Sequence, residues 1–320
     1  MSQATDTPTL TPGASNDRLT RFMIDRAGVR GVHVDLQETW QHIRKLMADV
    51  AAQAPGAVEL LGEATAAAAL FTGHIKIDGR LSVQLRSSGL LRTLFVECTS
   101  AGTLRGIVRL DPEHEGGDSP DASGITGNLR DLGEDAVLAI TIENPSVGGR
   151  DPVRYQGMVA LDADSLGDAF EGYFRQSEQL PTRLLLAGND ERVAGLMLQK
   201  LPGDEGDHDG WTRAGALFDT LGRDELLGVP AEELLNRLFH EDGVQMMGDR
   251  PLSFACSCSV ERVESMLVSL GSEEALAAAE DGDAQIRCEF CGADYRLTRE
   301  RIQDLLDIHA QQVAPPDRLQ

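Results

Sequence analysis

Four of the five cysteines in this 320-residue chain fall in two tight pairs, Cys256 with Cys258 and Cys288 with Cys291. Thiolates bind soft metals, pair as disulfides and act as nucleophiles, so clustering of this kind carries chemistry. On spacing alone three uses are open: a metal site, two disulfides, or each in turn. Four thiolates are the preferred ligand set for tetrahedral zinc, and two separated pairs let two loops close on one ion. Gly292 directly after the CxxC suits a zinc knuckle, whereas the CxC is the rarer form because a single intervening residue tightens the backbone.

The plainer reading of such a site is a fixed staple for a small domain. A switch is the alternative. Structural zinc contributes about 10–16 kcal/mol of apparent binding energy, against roughly 5–15 kcal/mol for the stability of a whole domain, so losing the ion should unfold the module. If an oxidant turned the thiolates into disulfides, the nearest partners in sequence would be Cys256 with Cys258 and Cys288 with Cys291. Each would close a tiny loop, and neither would replace a tie across the module.

The residues between the pairs must bring them together. Val260, Val263, Leu267 and Leu270 share one helical face, Ser259 can cap that helix, and Ser272 ahead of Glu273 and Glu274 opens another. After the CxxC, "GADYRL" reads as a knuckle turn and a short strand. A module covering 251–320 is expected.

Before it the pattern is α+β: a mixed sheet-and-helix domain, a helical linker and the small zinc-binding domain. Residues 1–16 read as a disordered arm, rich in Thr, Ser, Pro and Gly. Over 17–201 we expect a hairpin at 17–34 and a helix carrying Trp40, Ile43, Leu46, Met47 and Val50. A second helix covers "VELLGEATAAAALF", and three strands lie between Ile75 and Val108. "AVLAITIENP" and "VRYQGMVAL" add strands beyond an acidic loop at 111–124. A helix capped by Asp164 or Ser165 and closed by Pro181 precedes a strand pair around Asn189.

"PGDEGDHDG" marks a boundary, and 202–250 reads as a helical linker broken by Gly215, Gly222, Gly228 and Pro230. Pieces of two or three turns are marginal without tertiary contacts. Its apolar residues Trp211, Leu217, Phe218, Leu234, Leu235, Leu238 and Phe239 are either core of a folded linker or a surface for partners.

Other candidates carry less. Cys98, in "RTLFVECT", reads as a buried thiol, and His240 as a helix-end residue. No nucleophile elbow or phosphate loop occurs, so no catalytic residue and no enzyme is expected. Fifty-two acidic against 29 basic residues give a net charge of -23, which argues against nucleic acid and anionic membranes as partners. No run approaches a membrane span, and the first residues lack signal-peptide character, so a cytoplasmic, reducing setting is expected.

"FACSCSVERVESMLVSLG" and "IRCEFCGADYRL", with "AGVRGVHVDLQETW" and "YFRQSEQLPTRLLLA", resemble the redox-regulated holdase chaperones of the 33-kDa heat-shock class. The resemblance covers about residues 18–310. It implies an ATP-independent stress chaperone whose zinc sits on Cys256, Cys258, Cys288 and Cys291 in the reduced, inactive state. It further implies that oxidation forms disulfides Cys256–Cys258 and Cys288–Cys291 and releases zinc. The linker then unfolds, and the protein, as a homodimer, binds unfolded clients. Competing readings are a permanently zinc-stapled protein-binding module, a nucleic-acid zinc module, which the acidic charge opposes, and a thiol-disulfide oxidoreductase. The last needs its CxxC at a helix N-terminus in a thioredoxin-like setting.

Overall fold

In a computed structural model the protein is described at residues 16–75, 77–112, 129–133, 135–145, 152–203, 207–280 and 282–313. The expected arm, apart from residue 16, and most of the acidic loop lie outside these residues. The described chain forms two compact units, which meet in sequence between Ala255 and Cys256.

Period-two alternation makes the first hairpin, β1 (Arg18–Ile24) and β2 (Val29–Leu36), with Gly28 at φ 60° in the turn. Trp40 and Ile43 bury one face of α1 (Glu38–Leu46). The single helix expected through Val50 instead breaks at Met47, and α2 (Ala48–Gln53) follows. No side chain next to α1 caps it. Asp17 does so from before β1, its carboxylate accepting from the backbone N–H groups of Gln37, Glu38 and Thr39 at 2.7, 3.1 and 2.7 Å.

The next helix, α3 (Pro55–His74), is apolar on all sides, and such a helix must be buried on all sides. Two sheets enclose it. The strands are β3 (Arg80–Arg86), β4 (Leu91–Thr99), β5 (Thr103–Leu110), β6 (Val137–Asn144), β7 (Val153–Val159), β8 (Thr182–Gly188), β9 (Val193–Lys200), β10 (Val244–Pro251) and β11 (Ser253–Phe254). One sheet has the order β10-β1-β2-β9-β8 and the other β11-β5-β4-β3-β6-β7. All pairings are antiparallel except that of β11 with β5. Close approach to α3 needs glycine: a Cβ at Gly195 of β9 would stand 2.7 Å from Leu70 Cδ1.

Between β7 and β8, α4 (Leu166–Tyr173) is capped by Ser165, not Asp164. The Ser165 Oγ accepts from Asp168 N–H at 3.1 Å. The helix continues as one π turn over Phe174–Glu178 and ends at Gln179 with φ 57°.

Residues 210–242 fold as short helices: α5 (Gly210–Phe218), which runs through Gly215 where a break is expected, α6 (Arg223–Gly228) and α7 (Ala231–Phe239), divided at Gly222, Gly228 and Pro230 as expected, with a single 3-10 turn after the last. None of the three has a side-chain N-cap. Their stability comes from packing. Phe218, Leu221, Leu226, Leu234, Leu235 and Phe239 are buried in one cluster with Phe22, Ile24, Val29, Leu196 and Leu198 of the first sheet, and Trp211, Leu217 and Leu238 pack at its margin. In this state the linker's apolar residues are therefore core. Strand β9 is buried almost throughout because α3 covers one of its faces and this cluster the other.

The helical reading fails over 244–250, which is strand β10, paired with β1. A register shift opposite Arg21 and Phe22, and Gly248 at φ 125°, mark an irregularity that a periodicity search does not detect. No described helix is long and apolar enough to cross a membrane.

Candidate metal centre

The second unit is small. It comprises α8 (Val260–Leu270), α9 (Ser272–Ala277), β12 (Ala284–Arg287), β13 (Asp294–Leu297) and α10 (Arg299–Val313). Its buried cluster is Val263, Leu267, Ala275, Ala279, Ala284, Tyr295, Leu297 and Ile302, with Val260 partly buried against it. Leu270, expected on the same face, is exposed. Ser259 caps α8 as expected, accepting from Arg262 N–H at 3.3 Å. Arg301 of α10 reaches Glu264 of α8 at 2.8 Å.

The two cysteine pairs sit on different supports. Cys256 and Cys258 lie in the irregular segment that leads into α8, with Arg262 Nη1 donating to the intervening Ser257 Oγ at 2.6 Å. Cys288 and Cys291 belong to the turn between β12 and β13. There Gly292, at φ 72°, donates its N–H to Cys288 O at 2.7 Å, and Cys288 N–H bonds Ala293 O at 2.8 Å. This is the knuckle the CxxC-Gly spacing predicts, and it is followed by a strand, not a helix.

The fold brings all four expected ligands together. Their Sγ atoms lie within 4.8 Å of one another. Across the pairs, Cys256 Sγ is 3.7 Å from Cys288 Sγ and Cys258 Sγ is 3.4 Å from Cys291 Sγ. A tetrahedral zinc ion with bonds of about 2.3 Å would set its sulfur ligands about 3.8 Å apart. A disulfide needs about 2.05 Å, and all five cysteines are free thiols here. The donor set and its spacing fit a tetrahedral, thiophilic cation.

The electrostatics agree. Burial, followed by the neighbouring thiols, pushes the Cys291 thiol well up, while the Ala293 N–H favours its thiolate. Four thiolates at these separations need a cation between them. Burial likewise raises the Tyr295 hydroxyl, which hydrogen-bonds toward Cys258. Sequence reading passed over Tyr295 as a neighbour of the site, although its place four residues after Cys291 was a usable signal.

Cys98 stands apart, fully buried in β4, its thiol pushed up to about 11 by burial. Such a thiol is inert at neutral pH. His240 follows α7 and its Nδ1 lies 3.2 Å from Asn236 O, in keeping with a helix-end role.

An α+β domain joined to a four-cysteine module of this kind defines a recognisable class of protein. The Hsp33 protein family model matches residues 17–298, and the chain belongs to the Hsp33 family. The 33 kDa chaperonin of Ectopseudomonas mendocina is 42% identical over 297 residues, spanning 91% of this chain and 95% of the relative. That of Chromobacterium violaceum is 38% identical over 294 residues, spanning 91% and 94%. The crystal structure of the 33 kDa chaperonin of Thermotoga maritima shares the fold, with a TM-score of 0.71 at 20% identity over 93% of this chain and 100% of that one.

Proposed function

We propose that this chaperone is a redox-regulated, ATP-independent holdase that captures unfolding proteins under oxidative stress. The observation that carries the reading is the convergence of four sulfurs, all within 4.8 Å, in a module whose own apolar cluster is small. Zinc is the proposed cation: when bound it would hold Cys256, Cys258, Cys288 and Cys291 as thiolates and tie the CxC arm to the knuckle.

Hydrogen peroxide supplies the oxidant. One thiolate of a pair attacks peroxide, its sulfur takes one hydroxyl as a sulfenic acid, and the other leaves as hydroxide, which a solvent proton turns to water. The second thiolate of the pair attacks that sulfur and displaces its hydroxyl, which a second solvent proton turns to water, and a disulfide forms. Each pair gives up two electrons. The proposed pairs are Cys256–Cys258 and Cys288–Cys291, so each arm closes on itself and the tie between arms is lost.

With the module unfolded, α5–α7 would leave the first sheet. Trp211, Phe218, Leu234, Leu235 and Phe239, with the strand residues they cover, would then be available to apolar clients. Client capture by a homodimer in the cytoplasm completes the proposal, with neither nucleic acid nor membrane as partner.

The test is to treat the reduced, zinc-loaded protein with peroxide at moderately raised temperature. Zinc release, free thiols and suppression of client aggregation are then followed together. Loss of four thiols, then release of one zinc per chain, then onset of protection are expected. Retained zinc and no protection, under conditions that oxidise exposed thiols, would contradict the switch and leave a permanently stapled module.

A further inference from the structure

We propose that residues 250–255 form a strap that carries the state of the cysteine cluster to the linker, anchored by Phe254. This rests on the switch reading above and supplies its transmission. Strand β11 has only two residues, too few to hold by a ladder alone, yet Leu252 and Phe254 are each 1% exposed. The Phe254 ring packs on His42 of α1 with centroids 4.1 Å apart.

Backbone bonds run along the strap. Leu252 N–H donates to Asp17 O at 2.9 Å, Ser253 N–H to Gly102 O at 3.0 Å and Ala255 N–H to Leu104 O at 3.1 Å, while Arg250 Nη1 donates to Ser100 O at 3.0 Å. The turn between β4 and β5 is shaped to receive it: at Gly102, φ 86°, a Cβ would stand 2.5 Å from Pro251 O. Asp17 serves twice, since its carboxylate caps the same α1 that carries His42.

Connectivity gives the strap its role. The next residue is Cys256, one of the four ligands. In the other direction the strap runs straight into β10, whose Val244 packs on the linker cluster and whose Pro251 pairs with Arg18. Order lost at Cys256 therefore reaches the strap first, then β10, then α7. An anchored strap keeps α5–α7 on the sheet.

Hydrogen exchange on the full-length reduced protein tests this. In Phe254→Ala, with zinc and four reactive thiols retained, amides of 252–255 and of α5–α7 should both exchange faster, on the order of 100-fold. Phe254→Leu should restore most of the protection, and His42→Ala should give a smaller change in the same two regions. Fast exchange in 252–255 with α5–α7 unchanged would overturn the proposal. Should Phe254→Ala fail to fold, the wild-type protein stripped of metal by a chelator under reducing conditions still decides. The strap must lose protection no later than α5–α7, and a linker that opens while 252–255 stay protected overturns it. Opening of the linker in Phe254→Ala without client protection would leave the strap standing and count against the holdase reading instead.

Discussion

The unit ending at Ala255 wraps two sheets around α3 and buries 15 of that helix's 20 residues, whereas the module from Cys256 has a cluster of eight buried apolar side chains, three of them alanine. The first can stand on apolar burial. The second, of fewer than 70 residues, falls in the size range where a core alone rarely suffices and a metal or disulfide makes up the difference. Between these extremes lie α5–α7, well packed but uncapped, with stability borrowed from the sheet beneath. Apolar burial thus thins from the two-sheet domain to the module, and under the proposed switch chemistry at the sulfur cluster would open module and linker without dissolving the two-sheet domain.

The sharpest way to break that contrast is to remove the proposed zinc. Chelation under reducing conditions should forfeit about 10–16 kcal/mol of apparent binding energy and unfold 256–313, while amides of β1, β2 and β9 keep their protection. Exchange mapped by mass spectrometry checks it, and loss of the sheet together with the module would erase the distinction.

Next in size is Phe239→Ala, a fully buried linker side chain. It should cost about 3–5 kcal/mol, expressed as faster exchange and earlier proteolysis of α5–α7, with β3–β6 untouched.

A pH effect comes third. His33 lies on β2 with Val29 on the face that the linker helices cover, is 2% exposed, and its Nε2 has no partner among the described residues. Burial, then Arg192, pushes its pKa down from 6.5 to about 4. With a depressed folded pKa, the unfolded chain takes up the proton first. The contribution to stability is full above about pH 6.5 and falls as pH drops toward 4, by up to ~2 kcal/mol at pH 5. Asp35, raised by burial, opposes this only where carboxylates begin to protonate. Urea melts at pH 7 and pH 5 should show the loss, and His33→Asn should remove its share while leaving that of His74 and His42, which burial also depresses.

The smallest effect expected is at the clamp between linker and core. Arg223 of α6 reaches Glu63 of α3 at 2.7 Å and Leu186 O at 3.0 Å. Arg223 is half exposed, so Arg223→Gln should loosen α6 by only about 1–2 kcal/mol. It should also raise the Glu63 pKa further above its already elevated value, a change that carboxyl titration by NMR reads directly.

Sequence patterning reached the hairpin, α3, the strand pairs and the pairing of the four clustered cysteines because each is local: a period, a cap, or a short spacing. What escaped it is non-local. Asp17 caps a helix 20 residues away, β10 exists because β1 offers it an edge, and the strap at 252–255 is held by turns and a helix distant in sequence. The apolar linker residues illustrate the same point from the other side. Their spacing predicted helices, but only the fold shows the sheet face they cover.

The most direct measurement of the central claim follows zinc release and hydrogen exchange of α5–α7 on one sample after peroxide addition, with disulfides mapped at each time. The account predicts Cys256–Cys258 and Cys288–Cys291 disulfides, zinc release, and loss of linker protection in that order, with β1, β2 and β9 still protected. A linker that stays protected after both disulfides have formed and zinc has left would contradict it.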